Sequence, residues 1–385
     1  MGSKRKKWTI LIYNSGNNDL AKEVLESKIN LEKIQSTNDI NVIMQIGIED
    51  RTSLNIIRTD LDHKDYKSGV KRYCIENNKS NLIKDLNKCN MADPKNLYEF
   101  ITQSVKDYPA EKYMLILGGH GYGHVGTITD YSTDFPYIMG FTEMAKVIDM
   151  SNVDIDIMIL DTCYANNIEL IYEFGKKNNN SVKNIVTHIK DGPIEGINYL
   201  NIVNLVKNDY DTLGLMKNIV ESMNLVGFNI NHKKLKKIKT IINDLAYYNL
   251  KNGCEKISAK DLIKNTESDY IKAYNKELED IVVYNESEDI SINELVDIFT
   301  FDLDDINRTA IYYKFAFAKN NYWTYVLSNK ELSESINIYM KNSLLPIKLT
   351  FNDVYRYTRL TNYSKSDEEV FDMTKTLYKY KKWVK

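Results

Sequence analysis

Cysteine is scarce in this 385-residue chain. The four cysteines, at positions 74, 89, 163 and 254, form no CxxC pair and no finger-like spacing. Neither a disulfide framework nor a zinc module is indicated. Charge of one sign is also missing: 51 Lys and Arg stand against 53 Asp and Glu, for a net charge of -2. A dedicated nucleic-acid binder would need a stronger positive field, and a charge-driven disordered chain a larger imbalance. No apolar run approaches the ~18 residues of a membrane span. The segment Met1–Lys7 is basic like the start of a signal peptide. The apolar stretch behind it, Trp8–Tyr13, is too short and runs into a polar turn. The expectation is a cytoplasmic protein, or a secreted one had a signal segment been trimmed. Repeats, clear linkers and low-complexity tracts are absent as well.

What is present is a change of pattern near residue 200. Before it, short apolar runs alternate with helical periodicity. Strands are expected at 8–13, 41–48, 113–117, 155–160 and 184–189, with a hairpin from stretches near 54–59 and 70–75. Helices are expected near 20–34, from Asp93-Pro94 to Lys106, over 142–149 and over 165–174. Strands that are continuously apolar and separated by helices predict a mostly parallel sheet covered on both faces. The α/β half, 1–200, is read as the catalytic domain. Residues 201–385 are read as a mainly helical region of unknown role, with strand-like stretches at 309–317 and 345–351. A last helix is expected from Ser366, where Glu369 completes a capping box. The lysines of 233–239 read as the solvated face of a surface helix.

In a parallel sheet, ligands bind beyond the carboxyl ends of the strands. The third expected strand ends in Gly118-Gly119-His120-Gly121, and the fourth in Asp161-Thr162-Cys163-Tyr164. Adjacent strands would deliver an imidazole and a thiol to one rim. A cysteine nucleophile needs such a base, and a glycine-wrapped histidine lets backbone approach a substrate closely. The amides of Gly121 and Cys163 are the candidates for an oxyanion hole. Asp161 lies two residues before Cys163. It floors a pocket for a basic side chain, caps the following helix, or holds loop amides. His120 and His124 have zincin spacing, but three glycines and the lack of an intervening Glu argue against a metal-binding helix. His63, His188 and His232 have no partner pattern and read as structural or exposed.

These segments resemble the clostripain family of cysteine peptidases, within the caspase-like clan. The similarity is carried by Tyr13–Leu20, Ile116–Gly121 and Leu160–Ala165, and more weakly by Asp191–Gly196. It covers roughly residues 8–200. The resemblance implies a caspase–hemoglobinase-like sandwich and a His120/Cys163 dyad. It also implies cleavage of peptides or proteins after Arg or Lys, with Asp161, Asn18 and Asp191 binding substrate. No cofactor is required. Calcium dependence occurs in the family, but no EF-hand or comparable loop is seen.

Two departures stand out. Asn17 occupies a position where the family more often carries Asp. Family members are often activated by a cut after a basic residue between the His and Cys blocks, yet no Lys or Arg lies between Lys112 and Lys146. Two other readings stay open. One is a catalytically silent caspase-like module whose C-terminal half binds a partner. The other is a thiol amidohydrolase of small amides. Oligomeric state is not legible in the sequence.

Overall fold

A computed structural model describes residues 5–35, 38–59, 67–208, 211–252, 268–287, 289–298, 306–319, 321–327 and 344–383. The strands are β1 (Lys6–Gly16), β2 (Ile40–Ile48), β3 (Gly69–Glu76), β4 (Lys79–Asn87), β5 (Ala110–Gly118), β6 (Gly126–Asp130), β7 (Tyr137–Gly140), β8 (Ile157–Asp161), β9 (Asn184–Thr187), β10 (Val226–Asn229), β11 (Val282–Val283) and β12 (Ile347–Lys348). Nine of them form one sheet in the order β11-β10-β9-β8-β5-β1-β2-β3-β4. Its centre, β9-β8-β5-β1-β2, is parallel, and the two strands at either edge are antiparallel. A small sheet, β12-β7-β6, stands beside it.

The central strands are apolar on both faces because helices cover both. Along β1, Ile10 and Ile12 enter one layer, while Leu11 and Tyr13 enter the other. The first layer is completed by the helices Ala21–Leu31, Tyr199–Val206 and Thr212–Met223. The second is completed by Pro94–Asp107, Phe141–Met150, Ile168–Gly175 and His232–Lys251. Each fully buried aliphatic side chain contributes roughly 1.5–3 kcal/mol. The sheet is therefore a rigid base for the loops at its carboxyl rim. No helix among the described residues is long and apolar enough to cross a membrane.

Several local expectations need correction. Residues 51–57 form a helix, Arg51–Ile57, and not a hairpin strand: Asp50 caps it by accepting from the Ser53 amide at 3.0 Å. The hairpin is instead β3 with β4, and its turn places Asn77 and Asn78 at φ 50° and 61°. Asparagine tolerates that left-handed backbone. Residues 60–66 between the two expected stretches, with His63, and Cys254 lie outside the described residues. The stretch 309–317 is not a strand: Ile306–Tyr312 is helical. Of 345–351, only Ile347–Lys348 is extended before the helix Phe351–Thr361 begins. The last helix, Asp367–Lys381, does start at the Ser366–Glu369 capping box.

Candidate active site

Strand pairing builds the site. In the parallel register of β5 and β8, Gly118 stands opposite Asp161, and on its other side β5 pairs with β1 through Gly118 and Asn14. His120 and Cys163 each lie two residues past the Gly118–Asp161 pair. Both line one cavity of about 310 Å³ at the carboxyl rim, together with Gly119, Gly121, Asp161 and Thr162. Glycine is required here in two ways. Gly119 holds φ at +151°, a value that side chains rarely adopt. A Cβ on Gly121 would lie 2.4 Å from the Cys163 carbonyl oxygen and 2.2 Å from Thr162 Oγ1. That contact presses the histidine loop onto the cysteine loop. Thr127 tightens it further: its hydroxyl donates to the His120 carbonyl and lies at hydrogen-bond distance from the Thr162 hydroxyl, each at 2.9 Å. Among the described residues, neither the Gly121 nor the Cys163 amide donates to an acceptor.

His120 is nearly buried and tightly framed. Both carboxylate oxygens of Asp19 lie 3.1 Å from Nε2. Asp19 is fully buried. Burial alone would raise its pKa, but the charge and hydrogen bond of His120 prevail and hold it below the ordinary 3.8. Tyr357 stacks on the imidazole, with ring centroids 4.3 Å apart and planes 25° from parallel. Thr361, one turn further along the helix Phe351–Thr361, lies beside Asp19 and favours its ionised form, while its hydroxyl donates back to the Thr358 carbonyl at 3.2 Å. A helix from the last tenth of the chain thus closes over the histidine. It is anchored by Asn362 Nδ2 donating to the Ile57 carbonyl at 2.8 Å. Beyond it, Lys381 reaches Glu49 at 2.8 Å and Asp50 at 2.9 Å.

Cys163 is partly buried, with Sγ 4.0 Å from the Gly192 carbonyl. Burial pushes its thiol up, and the nearby Asp191 and Asp161 carboxylates push it further. The next residue, Tyr164, turns the chain sharply at φ 57°, and its hydroxyl donates to Asp191 at 2.7 Å. Asp191 is exposed at the cavity rim.

Asp161 is buried in the cavity wall, and it does not cap the following helix. Its Oδ1 lies 2.8 Å from His188 Nε2. Its Oδ2 accepts from the Ile197 amide at 3.0 Å and the Tyr199 hydroxyl at 2.7 Å. The helix Ile168–Gly175 is capped by Asn167 instead. The loop after β9 wraps this carboxylate. Gly196, at φ +70°, comes so close that a Cβ would sit 2.6 Å from Oδ2, and a Cβ on Gly192 would meet the His188 ring at the same distance.

Asn18, taken as a substrate contact from the resemblance, does not line the cavity. It is a buried brace that donates to Thr129 Oγ1 at 2.7 Å and accepts from the Leu20 amide at 2.8 Å. Asn17 Nδ2 donates to Asp130 at 2.6 Å, so it too serves the loop. His188, expected to be structural or exposed, is a buried wall residue. Asp19 and Tyr357 were not foreseen. Asp19 lies within the first matched segment, but it is 101 positions from His120 and nothing local ties the two. Among the described residues, no three His, Cys, Asp or Glu side chains are grouped to hold a metal ion.

Three comparisons bear on this arrangement. A sequence model of the clostripain family, a peptidase family, matches residues 17–234. Clostripain of Hathewaya histolytica is 32% identical over 143 residues, which are 31% of this chain and 24% of that protein. The match thus spans about a quarter of that relative's length. The fold resembles an inactive zymogen C11 protease from Parabacteroides distasonis, with a TM-score of 0.61 and 14% identity. That likeness covers 84% of this chain and all of the other. A secreted C11 cysteine protease from Bacteroides thetaiotaomicron, solved with an irreversible peptide inhibitor, also has a TM-score of 0.61. It shares 13% identity, over 81% of this chain and 98% of the other. At these identities the two structures establish the fold alone.

Proposed function

This chain belongs to the clostripain family, and from that premise we propose that it is a cysteine endopeptidase cutting peptides or proteins after Arg or Lys. The observation that carries the proposal is the shared register of β5 and β8. It sets His120 and Cys163 the same two residues beyond paired strand ends, on one cavity. The mechanism follows from the groups present. Asp19 fixes Nε2 as the protonated nitrogen of His120 and leaves Nδ1 as the base. The Cys163 thiol, protonated at rest, gives its proton to Nδ1 as sulfur attacks the scissile carbonyl. The Gly121 and Cys163 amides, both unspent, donate to the resulting oxyanion. Collapse expels the amine, which takes the proton from His120 and leaves a thioester. Water, deprotonated by His120, then cleaves the thioester and releases the acid and the thiol.

Basic specificity is supported by the Asp161 carboxylate in the cavity wall, with Asp191 and Glu195 exposed at the rim. The test is a library of fluorogenic peptides varied at the residue before the bond. Only Arg and Lys peptides are expected to be cut, and Asp161→Asn should lower kcat/KM on them at least about tenfold, the loss of one charge-assisted contact. A profile favouring acidic or apolar residues would refute the basic pocket.

Self-cleavage between the two catalytic blocks is not expected. Lys112 lies within β5 and Lys146 within the helix Phe141–Met150, and no basic residue occurs between them. Lys177, exposed just past the helix Ile168–Gly175, is a better site, since proteolysis prefers exposed loops, whereas Lys6 and Lys7 already lie within β1. Intact-mass analysis of incubated enzyme should show one chain through residues 121–145. A fragment pair split there in the native protein but not in Cys163→Ala would contradict both this expectation and the assumed specificity.

A further inference from the structure

Resting on the endopeptidase reading, we propose that Arg356 is a substrate-binding residue that selects an acidic side chain, Asp or Glu, within the two residues that follow the cut bond. The carboxylates of the cavity belong to Asp161 on β8 and to the loop after β9, with Asp191 and Glu195. Among the described residues, Arg356 is the one Lys or Arg on the same lining. The cavity therefore carries charge of both signs, on different elements.

The helix Phe351–Thr361 delivers the positive charge. Residues one turn apart share a helix face. Tyr357 and Thr361 form one row, which meets His120 and Asp19. Arg356 and Leu360 form the row beside it, and both are exposed where they line the cavity. The Arg356 guanidinium lies 5.0 Å from the centre of the Tyr122 ring, two residues beyond His120 in the same loop. A cation over an aromatic ring is steadied without spending its N–H donors.

The neighbouring arginines are committed to the fold. Arg359 Nε donates to Asp367 at 2.9 Å, and its Nη1 to the Asn362 carbonyl at 3.0 Å. Arg308, whose guanidinium is 4.7 Å from the same Tyr122 ring, faces Asp353 at 4.0 Å. Among the described residues, Arg356 donates no hydrogen bond and makes no ion pair. Its fork of N–H groups is unspent, and a carboxylate is the group whose geometry matches it.

The reaction decides which side of the bond passes Arg356. The departing amine takes its proton from His120, so the residues after the bond leave across the histidine loop. Arg356 stands on that loop through Tyr122. The basic residue before the bond turns instead toward Asp161.

The experiment compares kcat/KM on peptides with one basic residue before the bond and either Glu or Gln after it, at the first position in one set and at the second in another. Glu and Gln match in shape and differ in charge. These peptides end in an amide, so the side chain is the only carboxylate offered. In one of the two sets, wild-type enzyme should favour Glu by about fivefold in dilute buffer, the scale of an exposed ion pair. Salt at about 0.5 M should remove most of that preference. Arg356→Gln should bring the two rates within about twofold of each other, and Arg356→Glu should favour Gln. Each ratio is taken within one enzyme, so a general loss of activity cancels. A further pair of peptides ends two residues past the bond, as free acid or as amide. Equal wild-type rates on Glu and Gln, or a Glu preference that survives Arg356→Glu, would overturn the inference. A preference for the free acid with none for Glu would also overturn it, since a chain end and not a side chain would be read. Cleavage of none of these peptides would instead remove the endopeptidase reading beneath it, and this inference with it.

Discussion

Cys163→Ala is expected to lower peptide hydrolysis by about a thousandfold or more, the usual consequence of deleting a covalent nucleophile. Its melting temperature should stay within about 4 °C of wild type. The side chain is small and only partly buried, and it approaches the Gly192 carbonyl no closer than 4.0 Å. Little folding energy depends on it. The same experiment separates a peptidase from a silent caspase-like module. The resting thiol is pushed up by burial and by its acidic neighbours, so it is no preformed thiolate. In the proposed mechanism its reactivity comes from proton transfer to His120 once substrate is bound. An Arg- or Lys-directed active-site electrophile should label native enzyme at Cys163 and leave Cys163→Ala unlabelled. Wild-type rates in the alanine variant would end the nucleophile assignment. Failure of the electrophile to label the native chain would favour the silent module.

The parallel sheet was readable because both its faces are covered. That removes polar alternation from the central strands and leaves runs such as Ile10-Leu11-Ile12, whose neighbours in sequence enter opposite cores. The edges were harder. β4 buries no side chain and its apolar residues are Leu82, Ile83 and Leu86 among six polar ones, so it lacks the long apolar run of the central strands. Leu54-Asn55-Ile56-Ile57 has strand-like composition. The Asp50 cap and the burial of Leu54 and Ile57, three apart, make it helical. β-propensity describes fit to a half-buried surface, and here tertiary packing outweighs it.

The site divides in the same way. His120 and Cys163 were legible because each follows a strong strand signal directly. Asp161 was legible as a site residue, but the partners that hold it were not, since they come from the loop after β9 and the helix that follows. The weak Asp191–Gly196 block gains its physical meaning only in three dimensions, where Gly192 and Gly196 give way to His188 and Asp161. Tyr357 carries no sequence signal at all. It is a buried aromatic on an amphipathic helix far down the chain, indistinguishable in sequence from a core residue.

Asp19→Asn should lower kcat by about 10²–10⁴-fold while KM changes by less than about threefold. In serine peptidase triads, the equivalent Asp-to-Asn change behind the histidine costs about 10⁴-fold, through the wrong tautomer. The same logic applies here. The carboxylate can only accept, so the His120 proton stays on Nε2 and Nδ1 remains free to take the thiol proton. An asparagine can present its NH₂ to Nε2, which moves the ring proton to Nδ1 and removes the base. If it presents its carbonyl instead, the tautomer survives, but the charge that stabilises the imidazolium is gone. Asp19 titrates below its ordinary 3.8. Its ionisation therefore stabilises the fold above that pH, and this contribution is lost only as pH falls through the lower folded-state value. At neutral pH the native carboxylate is fully charged, and the comparison is clean. A residue that merely held the loop together would raise KM and lower the melting temperature when changed. A positioning residue lowers kcat with both nearly preserved, and Cys163 should still be alkylated by a small haloacetamide. An unchanged kcat in Asp19→Asn would show that the 3.1 Å contact orients nothing that the reaction needs.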